Sequence, residues 1–195
     1  MSRNPHKNPN PQGKGTVPVL ADWAATRPQA AADKSPAVLL LDWFVSAIVL
    51  SAKFQFRPAL GQQYFLYLGE DSWQLSLIAP HEWGERAPGE FLGECALRTD
   101  MTWQIEPDEA GLQEPAIRER LSELASSFTE SLTEDNSLRE ALPGYRRDLP
   151  YYQRMLATGL GSSLQASAEH LALLDEPADL LLEASGGALL RLVKG

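Results

Sequence analysis

The clearest pattern in the chain lies between Gly61 and Ile105, where apolar and polar residues alternate in four short segments. Alternate side chains of a β-strand point to the same face of a sheet, so a period of two predicts strands that bury one face. Turn-forming residues at 69–72 and 98–100 separate the segments, and so does an irregular loop at 79–84. The alternation therefore predicts a four-stranded antiparallel β-meander.

The predicted sheet has one apolar face and one polar face, as expected of an antiparallel sheet with a core on one side. The apolar set comprises Tyr64, Leu66, Leu68, Trp73, Leu75, Leu77, Phe91, Gly93, Cys95, Leu97, Met101, Trp103 and Ile105. The opposite set comprises Gln74, Ser76, Glu94, Arg98, Thr102, Gln104 and Glu106. We expect the first set to form the core and the second to face water.

An apolar segment precedes the strands and is the natural cover for the apolar face. Ser35 and Pro36 supply an N-cap and a proline at the first helical position, and an apolar run follows from Ala37 to Lys53. Only a narrow stripe of Asp42, Ser46 and Lys53 is polar, which predicts a helix buried on most of its surface.

After the strands the apolar period changes from two to three or four. From Pro115, apolar residues recur at helical spacing between Ile117 and Leu132, which predicts an amphipathic helix. Ser137 and Glu140 have the spacing of a capping box and predict a short helix behind it.

The last part of the chain is also mainly helical in pattern. A helix is expected to begin at Pro150, to be interrupted at Gly159 and Gly161, and to be followed by another over 163–174. Residues 178–194 fit either a hairpin or a helix followed by a strand, and we favour the helix first.

These elements together predict an α+β fold: a four-stranded antiparallel meander covered by an apolar helix and followed by a helical C-terminal region. We expect a flexible arm rich in Pro and Asn at 1–34, with a short helix near Trp23. The helix and meander core is assigned to 35–110, and a mainly helical region packed on that core to 111–195.

Charge and composition exclude several classes of partner. The 195 residues include 17 Lys and Arg against 26 Asp and Glu, which gives a net charge of −9. Such a chain repels phosphate backbones, so nucleic acid is not expected as a partner. The only cysteine, Cys95, can form neither an internal disulfide nor the paired thiolates of a zinc site. We predict no metal and no cofactor.

The sequence pattern predicts neither a transmembrane segment nor a signal peptide. The apolar run 37–52 is shorter than the ~20 residues that span a bilayer, and it contains Asp42. The first residues are polar and proline-rich where the apolar region of a signal peptide would lie. We therefore expect a cytoplasmic protein.

Several short motifs within the strands are together similar to one family. They are Gly61-Gln62-Gln63-Tyr64-Phe65-Leu66-Tyr67, then Ser76-Leu77-Ile78-Ala79-Pro80-His81-Glu82-Trp83-Gly84, Phe91-Leu92-Gly93 and Leu97 with Asp100-Met101-Thr102-Trp103. This set resembles the domain-of-unknown-function family 2452 of bacteria and animals, and the arm at Asn10–Gly15 looks like its bacterial members. The resemblance implies the meander; because the family has no assigned activity, it implies no function.

The irregular loop carries the first candidate site. His81 and Glu82 lie side by side and could relay a proton, and Trp83 follows them. In the alternative interpretation Glu82 caps backbone donors, Trp83 covers the edge of the sheet and His81 faces water. Cys95 is expected to be a buried residue with a raised pKa rather than a nucleophile.

A second candidate is the basic and aromatic stretch around Arg146 and Arg147. The helix expected after it would offer free backbone donors to a phosphate or a carboxylate. The alternative is a solvated loop in which Asp148 pairs with one of the two arginines.

We interpret the chain as a non-enzymatic binding or protein-interaction module, with a protein partner or a small ligand. Tyr67, Asp100 and the loop containing His81, Glu82 and Trp83 are its expected recognition surface. The alternative function is a small hydrolase or transferase that uses His81 and Glu82 as a proton relay. A homo-oligomer is left open, because residues 38–50 are so apolar.

Overall fold

The computed structural model describes residues 13–29 and 33–189. Its elements are α1 (Gly13–Ala25), α2 (Pro36–Ser51), β1 (Gln63–Leu68), β2 (Trp73–Ser76), α3 (Pro80–Trp83), a 3₁₀ turn (Gly84–Arg86), β3 (Glu90–Leu97), β4 (Trp103–Pro107), α4 (Glu109–Gln113), α5 (Pro115–Ser131), α6 (Leu138–Ala141), α7 (Tyr151–His170) and α8 (Asp179–Ala184). The predicted α+β fold, with one four-stranded antiparallel sheet and a helical C-terminal region, is confirmed.

The strand order differs from that of a simple meander. The sheet is ordered β2-β1-β3-β4, so β3 pairs with β1 and not with β2. Short turns force β1 to pair with β2 and β3 to pair with β4. The connection between β2 and β3 spans 77–89 and is long enough to place β3 on the other side of β1.

A β-bulge in β3 changes the predicted faces of the sheet. Leu66 pairs with Gly93 but Tyr67 pairs with Phe91, which leaves Leu92 as the extra residue. Leu92 joins the main core, whereas Phe91 packs on the opposite face against Phe65 and Tyr67. The assignment of Phe91 to the core face was therefore wrong, because an extra residue inverts the alternation beyond it.

Helix α2 covers the core face as predicted. Ser35 is its N-cap, with the Val38 N–H donating to Ser35 Oγ at 3.3 Å, and Pro36 is the first helical residue. Side chains of α2 share one hydrophobic cluster with the inner face of the sheet and with the C-terminal helices. Ser46 is fully buried there, and its Oγ accepts the Trp103 N–H at 2.9 Å.

The outer face of the sheet is less polar than predicted. Phe65, Tyr67 and Ala79 form a second, smaller buried cluster there. Thr102, which was predicted to face water, is fully buried, and Arg98 pairs with Asp42 of α2. Both residues lie in or beside the tight β3–β4 turn, where the strand alternation no longer decides which way a side chain points.

Helix α7 is continuous where two helices were predicted. It runs through both Gly159 and Gly161, and each glycine allows another segment to approach closely. A Cβ on Gly159 would lie 2.4 Å from the Thr26 carbonyl oxygen, and one on Gly161 would lie 1.9 Å from that of Pro143. These glycines mark close packing rather than helix ends.

The predicted ends of the chain are described only in part. The short helix expected near Trp23 is present as α1, while the rest of the arm at 1–12 and 30–32 lies outside the described residues. Residues 178–194 begin with a helix, α8, as favoured, and 190–195 are likewise outside. Within the described ranges no helix is both long enough and apolar enough to cross a membrane.

Candidate functional site

The segment that follows β2 is held in place by hydrogen bonds of its backbone to side chains. The Ile78 carbonyl oxygen accepts from the Tyr67 hydroxyl at 2.9 Å and from the Trp83 indole N–H at 3.2 Å. The Ile78 N–H donates to Ser76 Oγ at 2.9 Å, and the Ala79 N–H donates to Glu82 Oε2 at 2.8 Å. The backbone around Ile78 is thereby fixed to the outer face of the sheet.

Aromatic packing supports the same segment from below. The ring of Trp83 meets that of Tyr67 edge to face, with centroids 6.4 Å apart, and Tyr67 also packs against Phe91 at 5.4 Å. Tyr67 is 1% exposed, and this burial raises the pKa of its hydroxyl, although the neighbouring Trp83 indole N–H opposes the shift. Tyr67 therefore positions the loop and offers no free surface.

The same segment presents two apolar side chains to solvent. Leu77 is 48% exposed and Ile78 is 39% exposed. Leu77 was assigned to the buried face, and this was wrong: β2 ends at Ser76, so its alternation does not extend to Leu77. The exposed pair lies directly before Pro80 and His81, which are also exposed. We call Leu77, Ile78 and Trp83 the loop surface.

The geometry of His81 and Glu82 matches the capping interpretation of the loop. The Glu82 carboxylate accepts the Ala79 N–H, and the His81 side chain faces solvent. Clefts of about 620, 400, 220 and 200 Å³ occur on the described surface, and none of these four is lined by a residue from 77–84. The Glu82 carboxylate is therefore engaged in capping the loop.

Asp100 lies in the β3–β4 turn and is not part of the loop surface. It is 8% exposed, and Lys34 Nζ lies 2.7 Å from its Oδ2 atom. Burial raises the pKa of Asp100, but hydrogen bonds from Lys34 and Thr102 and the charge of Lys34 outweigh burial, so the pKa is lower than usual. The structure thus separates Asp100 from Tyr67, although both were assigned to one surface.

Residues outside the predicted set complete the surroundings of Asp100. Lys34 also bonds Asp42 Oδ2 at 2.7 Å, and Arg98 donates to the other oxygen of Asp42. Sequence reasoning placed Lys34 in the arm and Arg98 on the polar face, and it gave no sign that they meet. Local periodicity carries no signal for a contact between residues 66 positions apart.

Arg146 and Arg147 lie in the exposed loop between α6 and α7. Arg146 Nε donates to Asp148 Oδ1 at 3.2 Å, which is the pairing expected of a solvated loop. Tyr145 beside them is 54% exposed, and the Arg154 guanidinium lies 5.5 Å above the centre of its ring. This stretch is separate in sequence from the loop surface and from Asp100.

Two further expectations concern nucleophiles and metals. Cys95 is 1% exposed; burial, and to a lesser extent the charge of Glu94, raises the pKa of its thiol to about 12. In the described part of the chain, no group of three or more His, Cys, Asp or Glu side chains is placed to hold a metal ion.

A comparison with protein families places this geometry in context. A family model described as "Protein of unknown function (DUF2452)" matches residues 40–114. We call residues 40–114, which are similar to this family, the DUF2452 region. The DUF2452 region contains most of α2, the whole sheet, the loop surface and α4, so the resemblance seen in the strand motifs is confirmed. Lys34, Arg146 and Arg147 lie outside it. No solved structure matches the chain.

Proposed function

We propose that the protein is a non-enzymatic interaction module that binds a protein partner through its loop surface. The observation that carries this proposal is the exposure of Leu77 and Ile78 on a backbone fixed by hydrogen bonds to Tyr67, Ser76 and Glu82. Adjacent exposed apolar side chains on a rigid scaffold are typical of interaction sites.

The shape of the loop surface favours a protein partner over a small ligand. Small ligands bind in concave pockets that enclose most of their surface. Leu77 and Ile78 are exposed side chains, and the loop surface lines none of the four clefts described above, which favours a protein surface over a small ligand as the partner. A partner protein can instead enclose Leu77 and Ile78 in a pocket of its own, which is how binding hot spots are formed.

The fixed backbone also supports the proposal energetically. Ordering a flexible loop on binding costs free energy, whereas a loop ordered beforehand avoids that cost. Because the Ile78 carbonyl oxygen already accepts two hydrogen bonds from aromatic side chains, the apolar pair is presented in one conformation. Since Leu77 and Ile78 are 48% and 39% exposed, burying what remains would contribute roughly half of the ~1.5–3 kcal/mol of a fully exposed side chain, for each of the two.

The test replaces both exposed side chains and leaves their support intact. We expect Leu77→Ser with Ile78→Ser to weaken binding of a partner by at least about tenfold, since tenfold corresponds to ~1.4 kcal/mol. Partners captured by the full-length wild type would be identified, purified and measured by titration calorimetry against both proteins.

Val38→Ser is the matched control, because Val38 is an apolar residue of α2 with 45% exposure and lies away from the loop. It should leave the affinity unchanged, and circular dichroism should show both variants folded. The proposal is contradicted if every partner binds the double variant as tightly as it binds the wild type.

A further inference from the structure

Two carboxylates from different elements converge on one ammonium group at the end of the sheet. Lys34 Nζ lies 2.7 Å from Asp42 Oδ2 in α2 and 2.7 Å from Asp100 Oδ2 in the β3–β4 turn. The Lys34 side chain is only 4% exposed, and those of Asp42 and Asp100 are 13% and 11% exposed. The ammonium is therefore bound almost entirely by protein.

Each carboxylate is oriented by groups other than Lys34. Asp100 Oδ1 accepts the Thr102 N–H at 3.1 Å and the Thr102 hydroxyl at 2.6 Å. Asp42 Oδ1 accepts a hydrogen bond from Arg98. One oxygen of each carboxylate thus accepts hydrogen bonds from the DUF2452 region, and the other oxygen of each faces Lys34 Nζ.

The charges at this point require one further cation. Asp42 and Asp100 carry two negative charges, and Arg98 supplies one positive charge, so the group without Lys34 has a net charge of −1. An unpaired charge with this little solvent exposure is strongly unfavourable. Two carboxylate oxygens suit an ammonium, which donates hydrogen bonds, whereas Ca²⁺ needs six to eight oxygen ligands.

The cation comes from outside the region that builds its binding site. Asp42, Arg98, Asp100 and Thr102 all lie within the DUF2452 region, and Lys34 precedes it. We infer that Asp42 and Asp100 form a binding site for one primary ammonium, which Lys34 fills in this chain and which a free alkylammonium of matching length can fill in its place. This inference is independent of the proposed partner surface.

Chemical rescue of the Lys34→Ala variant tests the inference. The substitution removes three methylene carbons and the ammonium, which together correspond to n-propylammonium. We expect a lower midpoint of thermal unfolding in sodium chloride and a saturable recovery of most of that loss in n-propylammonium chloride at equal ionic strength. The wild type should show no such recovery, because its site is occupied.

Matched variants separate binding at this site from general effects of the salt. Lys34→Met keeps the volume of the side-chain stem and removes only the charge, so it should lose stability without recovering. Lys34→Ala combined with Asp100→Asn should not recover either. Lys53→Ala removes an exposed lysine just after α2 and should neither lose stability nor respond to the amine.

Several outcomes would overturn the inference. The first is an unfolding midpoint of Lys34→Ala equal to that of the wild type. The second is equal recovery of Lys34→Ala in tetramethylammonium, which cannot donate hydrogen bonds. The third is recovery of Lys34→Met in n-propylammonium. Greater recovery with Mg²⁺ or Ca²⁺ than with n-propylammonium would show a metal site instead. If Lys34→Ala is unfolded when purified, its refolding yield with n-propylammonium is measured by circular dichroism, and failure to refold counts against the site.

Discussion

Cys95 shows how the position of a single residue determines its chemistry. Its side chain lies in the main hydrophobic cluster, and burial raises the pKa of its thiol to about 12. The thiolate is the reactive form of cysteine, and at pH 8 a thiol with this pKa is ionised in only about one molecule in 10⁴. The buried thiol is therefore unreactive in the native state.

We predict that Cys95 reacts with a disulfide reagent such as DTNB much more slowly in the native protein than in urea. Absorbance of the released thiolate at pH 8 measures both rates. In urea the thiol regains an ordinary pKa near 8.5 and full access to the reagent. Its reaction in urea should therefore be complete before the native protein has reacted measurably. Rapid stoichiometric labelling of native protein would contradict the burial of Cys95.

The sequence allowed local contacts of the candidate residues to be predicted, but not their contacts with distant parts of the chain. The role of Glu82 as a cap could be anticipated, because it lies three residues after Ala79, at the start of a helix that begins with proline. Asp100 could be selected from the motif Asp100-Met101-Thr102-Trp103, but its partner Lys34 could not be found, because no local pattern links residues so far apart in the chain.

At the scale of elements, the strands and the longer helices were predictable, whereas their arrangement and the short helices α3 and α4 were not. Ser35 and Pro36 specify where α2 begins, and alternation specifies all four strands. Strand order depends on the connection 77–89, which is long enough to allow either neighbour. The bulge at Leu92 could not be seen in the alternation of apolar and polar residues. The face of the sheet predicted for Phe91 was therefore wrong.

Helix α7 makes a packing contact that a substitution can test. We predict that Gly161→Ala lowers the free energy of unfolding by roughly 1–3 kcal/mol, because the new Cβ would lie 1.9 Å from the Pro143 carbonyl oxygen. Helix propensity alone would favour alanine by about 1 kcal/mol, so the expected sign is opposite to that of an exposed helical glycine.

Urea denaturation followed by circular dichroism measures this change. Gly144→Ala is the matched control, since nothing lies within 4 Å of a Cβ at that position, and it should stay within about 0.5 kcal/mol of the wild type. A Gly161→Ala variant as stable as the wild type would show that α7 does not pack against the 143–144 segment.

At the scale of the whole molecule, the two faces of the sheet have different roles. The inner face, α2 and the C-terminal helices share the large hydrophobic cluster, whereas the outer face carries the small aromatic cluster beneath the loop surface. Sequence reasoning found the loop but expected a polar outer face, so it missed the exposure of Leu77 and Ile78. The DUF2452 region contains both faces of the sheet, and the ion pairs of Lys34 with Asp42 and Asp100 link it to the segment before it.

The rigidity of residues 77–83 is the property on which the proposed interaction surface most depends, and amide hydrogen exchange by NMR in the full chain measures it. The Ala79 N–H donates to Glu82, so it should exchange slowly in the wild type and about tenfold or more faster in Glu82→Ala. An Ala79 amide that exchanges at the unfolded-peptide rate in the wild type, or that is unaffected by Glu82→Ala, would contradict a preformed loop surface.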